Sequence, residues 1–532
     1  MNIVPGQVSQ LPQAPVAQKT VPDIRIQRRG VVPNSGPTGP SVLINTLRIT
    51  GETRFSEAEL IAVAGFTPGR SLSLSDLRRM ATLVTSYYNA HGYVVAQAYV
   101  PAQEIKDGAV TIVVIEGRYG AVNLRNESRL RSGVARGVLK GLDSGALVAA
   151  APLERRLLLL SDLPGVQVRS TLSPGSAVGT SDLLVDVTPG RLITGNLEVD
   201  NAGSPYTGAY QGGGTINFNE PLGIGDVASL RVLTSGEGMQ YARASYQAQW
   251  RDATVGAAYA YFHYRLGGRF SGLHADGSEQ IASLYASYPL IRSYDNNLQA
   301  LINADYRIFQ DKIGAFSAVT DRRAEVVNVG LSGDHHDSIG GGGWDVYSLY
   351  VTGGNLEIQT PFARAVDAVT ARTEGGYGKL RFSVDRLQTV AGPFALYAAV
   401  RGQVAFKNLD ISEKMELGGA YGVRAYPEGE AYGDEGYIAT VEGRLRLPRV
   451  AGLPGRFQLA GFYDYGWVQL ARDPWFAGPN TATRSGAGVG LTWADNNNFL
   501  ARASYAYRLG PRATSSSPDA SGQFWFELVK FF

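Results

Sequence analysis

The chain has no cysteine, only five histidines, and no apolar run long enough to cross a bilayer as a helix. Without cysteine there is neither a disulfide framework nor thiolate chemistry. The longest clean apolar stretch, residues 146–153, is interrupted by Pro152, and a helical span needs about 18 or more such residues. Charge is scarce too. Asp, Glu, Lys and Arg make up 18% of the chain with a formal net charge of +2, which gives no reason to expect nucleic acid or any strongly charged partner. The one histidine pair lies in Asp334-His335-His336-Asp337, a Gly-flanked connection, and adjacent side chains on a strand point to opposite faces. No metal site is expected there. Glycine-rich phosphate loops, nucleophile elbows and metalloprotease strings are missing, so the sequence offers no catalytic residue and calls for no cofactor.

What the chain does hold is glycine and aromatic residues: 65 Gly, 28 Tyr, 19 Phe and 6 Trp among 532 residues. That length exceeds what one core supports, and at least two domains are expected. From about residue 191 helical periodicity gives way to alternation. Ala242, Ala244, Tyr246, Ala248 and Trp250 share one face of a strand against Arg243, Ser245, Gln247 and Gln249. Phe499, Ala501, Ala503, Tyr505, Tyr507 and Leu509 oppose Arg502, Ser504 and Arg508 in the same way. A closed β-barrel is the other structure that satisfies every backbone group inside a bilayer, and its sequence mark is this repeated alternation with aromatics near strand ends. Short polar connections at residues 219–223, 295–297 and 495–498 alternate with longer ones at 268–279 and 470–484. About 340 residues at roughly 20 per strand and connection give about 16 strands.

The first part of the chain reads differently. Residues 1–40 are rich in Pro, Gln, Ser and Gly and read as a tail or linker. Residues 41–117 follow the order β-α-α-β-β: a strand at 41–49, a short helix opened by Ser56 with Glu59 at capping-box spacing, and a helix at 75–91. Leu77, Met80, Ala81, Val84 and Tyr88 lie on one face of that helix, and strands at 93–100 and 109–115 follow Gly92. Residues 118–190 repeat the order more loosely, with helices expected at 127–142 and 152–160 and strands at 119–124, 166–171 and 182–187.

A charged, Gly-rich loop at 416–436 interrupts the strand pattern. It contains Val423-Arg424-Ala425-Tyr426-Pro427, and some forty residues later stands Phe462-Tyr463-Asp464-Tyr465-Gly466. These strings resemble a matched pair of motifs in the TpsB transporters of two-partner secretion. There a VRGY-type loop tip folds into the barrel and pairs through its Arg with the Asp of an F-x-D-x-G motif on the wall. Ala425 stands where the family usually has Gly. On the strand, Phe462, Asp464 and Gly466 share the lumenal face, while Tyr463, Tyr465 and Trp467 suit lipid. A carboxylate turned inward needs a partner, and the Arg424 guanidinium offers a planar fork.

The resemblance implies a mixed fold, two small α+β POTRA domains (41–117 and 118–190) followed by an antiparallel transmembrane β-barrel (191–532) with a re-entrant loop at 416–436. It implies a bacterial outer-membrane protein with periplasmic POTRA domains that exports a TpsA-type exoprotein, unfolded, through its lumen in type V secretion. Its other partners would be outer-membrane lipid and, during biogenesis, the barrel-assembly machinery. That machinery would read the aromatic C-terminal strand ending on Phe532. A plug helix within residues 1–40 is the family's alternative to a plain tail, against which Pro5, Pro12 and Pro15 weigh. Met1 leads straight into a polar stretch, so the sequence reads as one from which a secretory signal has been removed. Other readings are a barrel-assembly factor of the same superfamily, a porin, or an outer-membrane enzyme. Two POTRA domains and the lack of a convergent polar site favour secretion.

Overall fold

Ser73 precedes an apolar stripe at helical spacing and closes a reciprocal cap with Asp76: the Ser73 N–H donates to Asp76 Oδ2 at 3.0 Å, and the Asp76 N–H to Ser73 Oγ at 3.2 Å. The helix so opened, Leu74–Ala90, buries the five residues expected of it, Leu77, Met80, Ala81, Val84 and Tyr88. Each large apolar member contributes about 1.5–3 kcal/mol. The computed structural model describes residues 23–26, 40–236, 238–516 and 519–532. The proposed plug helix therefore lies outside the described residues, apart from the short strand β1 (Asp23–Ile26).

The first module comprises β2 (Val42–Ile44), β3 (Thr46–Thr50), α1 (Glu57–Ala64), β4 (Arg70–Leu72), α2 (Leu74–Ala90), β5 (Gln97–Tyr99) and β6 (Ala109–Ile115). Its sheet runs β3-β6-β5, with β3 parallel and β5 antiparallel to β6. Ser56 caps α1 as expected, but Glu59 does not complete a capping box; its carboxylate accepts from the Tyr87 hydroxyl. The strand expected at 93–100 shortens to β5, because Tyr93 turns under the sheet into the core instead of pairing. The second module comprises β7 (Arg118–Asn126), α3 (Ser132–Val138), α4 (Ala150–Ser161), β8 (Val166–Pro174) and β9 (Thr180–Pro189). It repeats the pairing, β7 parallel and β8 antiparallel to β9. The first helix is much shorter than the expected 127–142. Asn126 draws the chain into a turn by accepting from the Ser128 N–H and hydroxyl and donating to the Leu130 carbonyl. Each module has its own apolar core. β1 adds a parallel strand to the outer edge of β8.

Residues 191–532 form a second unit, a closed barrel of sixteen antiparallel strands. The first eight are β10 (Ile193–Asp200), β11 (Gln211–Asn219), β12 (Val227–Thr234), β13 (Met239–Trp250), β14 (Ala253–Arg265), β15 (Ala275–Arg292), β16 (Asn296–Ile313) and β17 (Ala318–Asp337). Next come β18 (Gly343–Ile358), β19 (Gly375–Ala391) and β20 (Phe394–Ala405). Two short strands inside a loop, β21 (Met415–Glu416) and β22 (Tyr432–Gly433), pair with each other and stand apart from the wall. The wall resumes with β23 (Glu435–Arg446), β24 (Arg456–Gln469), β25 (Thr481–Asp495), β26 (Phe499–Arg508) and β27 (Gly522–Phe531), which closes on β10. The strand count matches the sequence expectation, and the outward rows carry exposed apolar residues such as Tyr246, Trp250, Tyr505 and Tyr507. The Asp334–Asp337 string ends β17 instead of forming a connection. The connection expected at 268–279 is shorter because β15 already begins at Ala275.

In the first module Glu116 is almost fully buried. It accepts from the Thr53 N–H at 2.6 Å and hydroxyl at 2.5 Å, from the Arg54 N–H at 2.8 Å, and from the Tyr88 hydroxyl at 3.0 Å. Burial pushes its carboxyl up, but these donors together outweigh burial and hold it below the ordinary range. We expect Glu116→Ala to destabilise the first module by about 2–4 kcal/mol, since it strands several donors. A group whose folded pKa is depressed stabilises above its unfolded value, here about 4.3. The parent's advantage over the variant is therefore full at neutral pH and disappears as pH falls through the lower folded value. Urea titrations of residues 20–190 across that range measure it.

Candidate functional site

The loop that interrupts the barrel is longer than its Gly-rich part suggests. It leaves β20 after Ala405 and rejoins the wall at Glu435, so it spans residues 406–434 and not 416–436. Polar residues such as Lys407, Asn408 and Asp410 fix its early part, and nothing in their spacing separates them from a continuing strand. The Met415–Glu416 and Tyr432–Gly433 ladder makes a neck, beyond which residues 417–431 form the tip.

The tip carries Val423, Arg424, Ala425 and Tyr426, and β24 presents Phe462, Asp464 and Gly466 inward. Asp464 has no exposed surface. The structure joins the two sets. Arg424 Nε donates to Asp464 Oδ2 and Nη2 to Asp464 Oδ1, both at 2.8 Å, and the Arg424 backbone N–H adds a bond at 3.2 Å. The guanidinium carbon lies 3.4 Å from the centroid of the Phe462 ring. Gly466 is small for a reason: a Cβ there would come within 2.8 Å of Leu417 Cδ2 and 3.0 Å of Val423 Cγ2. Ala425 is accommodated by the neighbouring strand β25, where a Cβ on Gly486, the register partner of Asp464, would sit 2.3 Å from the Ala425 Cβ. Tyr426 is buried and donates to the Pro511 carbonyl at 2.7 Å.

Several participants escaped the sequence reading. Glu442 of β23 takes the remaining edge of Arg424 through Nη1 at 2.8 Å, and the Thr440 hydroxyl donates to Asp464 Oδ1 at 2.9 Å. Trp525 Nε1, on the last strand, donates to the Arg424 carbonyl at 2.7 Å. Glu430, fully buried, pairs with Arg484 of β25 and accepts from the backbone N–H groups of Thr514, Ser515 and Ser516 at 2.9–3.0 Å. Inward parity marks Glu442, Trp525 and Arg484 as lumenal, but one sequence cannot show which loop residue each meets. Phe532 sits at the closing seam, where its backbone exchanges two 3.1 Å hydrogen bonds with Gly195.

The arrangement is a latch. A long loop lies in the lumen, tied by charge to the wall it would have to leave for anything large to pass. Cavities of about 580 and 730 Å³ lie alongside it. His335 and His336 contribute nothing to it; His336 stacks on Trp344 at a ring separation of 5.7 Å.

Comparison with known proteins bears on the fold and the family. Residues 42–117 match the ShlB-type POTRA domain. The chain is 28% identical over 471 residues to the heme/hemopexin transporter protein HuxB of Haemophilus influenzae strain 86-028NP, covering 87% of this chain and 82% of that one. It is 23% identical over 484 residues to the outer membrane transporter CdiB of Escherichia coli, covering 86% and 78%. In fold it is similar to the solved structure of CdiB from Escherichia coli, with a TM-score of 0.75 at 20% identity over 94% of this chain and 93% of that one. CdiB from Acinetobacter baumannii gives 0.66 at 19% identity over 97% and 95%. The model of the haemolysin secretion/activation protein family ShlB/FhaC/HecB matches residues 179–493, more than half of the chain, and the protein belongs to that family of two-partner secretion outer-membrane transporters.

Proposed function

We propose that this transporter captures an extended segment of its exoprotein on the sheet edges of two periplasmic POTRA domains, residues 41–117 and 118–190. It then passes the chain, unfolded, through a lumen gated by the 406–434 loop. The observation that carries the reading is the Arg424–Asp464 pair that holds the loop tip against the inner wall. With the loop latched, the remaining cavities are far smaller than a folded domain, whose radius of gyration is about 13 Å at 100 residues. Edge capture draws support from the fold as well. The edge of β8 already accepts a four-residue parallel strand, β1, and β5 presents the exposed Tyr99 on an outer strand of its sheet. Outer-membrane lipid would meet the exposed apolar rows of the wall. The aromatic β27, ending beside Phe532, would be the strand that the barrel-assembly machinery reads.

Residues 20–190 form one compact unit with two cores and can be titrated alone with the N-terminal domain of a candidate exoprotein. Saturable binding is expected. Heat signals indistinguishable from dilution, at the highest soluble concentration of both, would remove POTRA-mediated recognition.

Arg424→Ala is expected to weaken the latch by about 3–5 kcal/mol, because it leaves the buried Asp464 carboxylate without its counter-charge, and Asp464→Ala by less, because Arg424 keeps its pair with Glu442. Secretion should fall while the barrel remains inserted, as judged by heat-modifiable migration on gels. Combined, the two substitutions should cost no more than Arg424→Ala alone. Additive losses in protease protection of the loop would show that Arg424 and Asp464 act separately.

A further inference from the structure

The latch holds the tip of the loop; a different set of charges holds its root. Leaving β20, the chain runs along the inner wall into a 3-10 turn, Ile411–Glu413, capped by Asp410, which accepts from the Ser412 N–H at 3.1 Å. Asp410 pairs with Arg322 of β17, whose second nitrogen donates to Asp311 of β16 at 2.5 Å. Glu413 accepts from Arg307 of β16 at 2.9 Å and from Lys379 of β19 at 2.7 Å. The Glu413 carbonyl accepts from Lys379 Nζ at 2.6 Å and from Gln403 Nε2 of β20 at 2.9 Å. Four wall strands thus converge on one turn of the loop. Arg322, Lys379 and Glu413 are each about 95% buried. Lys414 and Asp434, 2.6 Å apart, then tie the two sides of the loop together next to the neck ladder.

Chain connectivity separates what can move from what cannot. The root lies only a few residues beyond the end of β20 at Ala405, so it cannot cross the lumen without unpicking the wall. Freeing it would leave the cations Arg307, Arg322 and Lys379 buried with Asp305 and Asp311 as their remaining ion-pair partners among the described residues. The tip, residues 417–431, starts twelve residues beyond Ala405 and hangs from the two short strands of the neck, and it is the tip that reaches β24 and β25.

We propose that Asp410 and Glu413, gripped by Arg322, Arg307 and Lys379, form a fixed post. This post positions the neck so that Arg424 meets Asp464, and the lumen opens by a swing of residues 417–431 about the neck while the post stays seated. The inference rests on the reading of the loop as the gate, and it makes the wall cations positioning residues for the latch.

The absence of cysteine allows a clean test. Paired substitutions are made at the root (Asp410→Cys with Arg322→Cys) and at the tip (Arg424→Cys with Asp464→Cys). Each pair is bridged in detergent by a short, reducible bis-thiosulfonate, and single-channel currents are recorded in planar bilayers with potassium chloride alone. The unbridged root pair should raise the open fraction about tenfold or more, since a mispositioned latch shifts a two-state equilibrium by at least one broken interaction. Bridging the root should restore the parent's pattern of closure and opening, whereas bridging the tip should abolish openings until reductant is added. If root-bridged channels cannot open while tip-bridged ones also stay shut, the post must release and the inference fails with the gate intact. An unbridged root pair that behaves like the parent also overturns it. Openings that persist with the tip bridged would instead defeat the gate reading itself.

Discussion

A charge turned into a barrel that is filled by its own loop has lost most of its water, and it is tolerated only when something of opposite sign is brought to it. Asp464, Arg484, Arg322 and Lys379 all face this condition. The loop supplies the answer to each, with Arg424, Glu430, Asp410 and Glu413 as counter-charges. Wall and loop are therefore electrostatically incomplete without each other. Beside these pairs the loop tip packs Leu417, Val423 and Tyr426 on Ile438, Phe462 and Val468 of the wall, whereas the two N-terminal modules are built on apolar clusters rich in Leu, Val and Ile.

The strength of such pairing sets terms for whatever opens it. A latch opens only if a ligand favours the unlatched state over the latched one by at least what the pairing contributes, each tenfold of preference being about 1.4 kcal/mol. A substrate that bound both states equally would leave the lumen shut however tightly it bound. Binding energy collected by an extended segment along a sheet edge would be of the right kind for this, because it grows with the length of strand paired.

Much of this was legible before any coordinates. The period-two alternation around Tyr246 and Tyr505 placed the lipid face correctly, and chain length with strand spacing led to sixteen strands. The parity of Phe462, Asp464 and Gly466 put the carboxylate inside, where it needed a partner of opposite charge. The misses have physical causes. The helix expected at 127–142 collapsed to Ser132–Val138 because one side chain, Asn126, offered the backbone a competing turn. The loop's beginning was missed because Lys407 to Glu413 anchor themselves through long-range ion pairs, which leave no periodic trace. Glu430 was invisible for the same reason: its partners lie on β25 and in residues 514–516, more than fifty positions away. Local pattern reports which way a side chain points, and pairing across a barrel is decided by closure.

The residues that receive the loop are drawn largely from the end of the chain: Pro511 for Tyr426, Thr514 to Ser516 for Glu430, and Trp525 for the Arg424 carbonyl. β27 must also pair with β10 to close the ring. A nascent barrel that has threaded its first dozen strands into the membrane already owns the loop but not the berth for it. The berth for the loop tip is therefore complete only when β27 is paired with β10. Closure of the ring and seating of the loop tip thus draw on the same last strand, so a change that loosens the seam between β27 and β10 also loosens the berth.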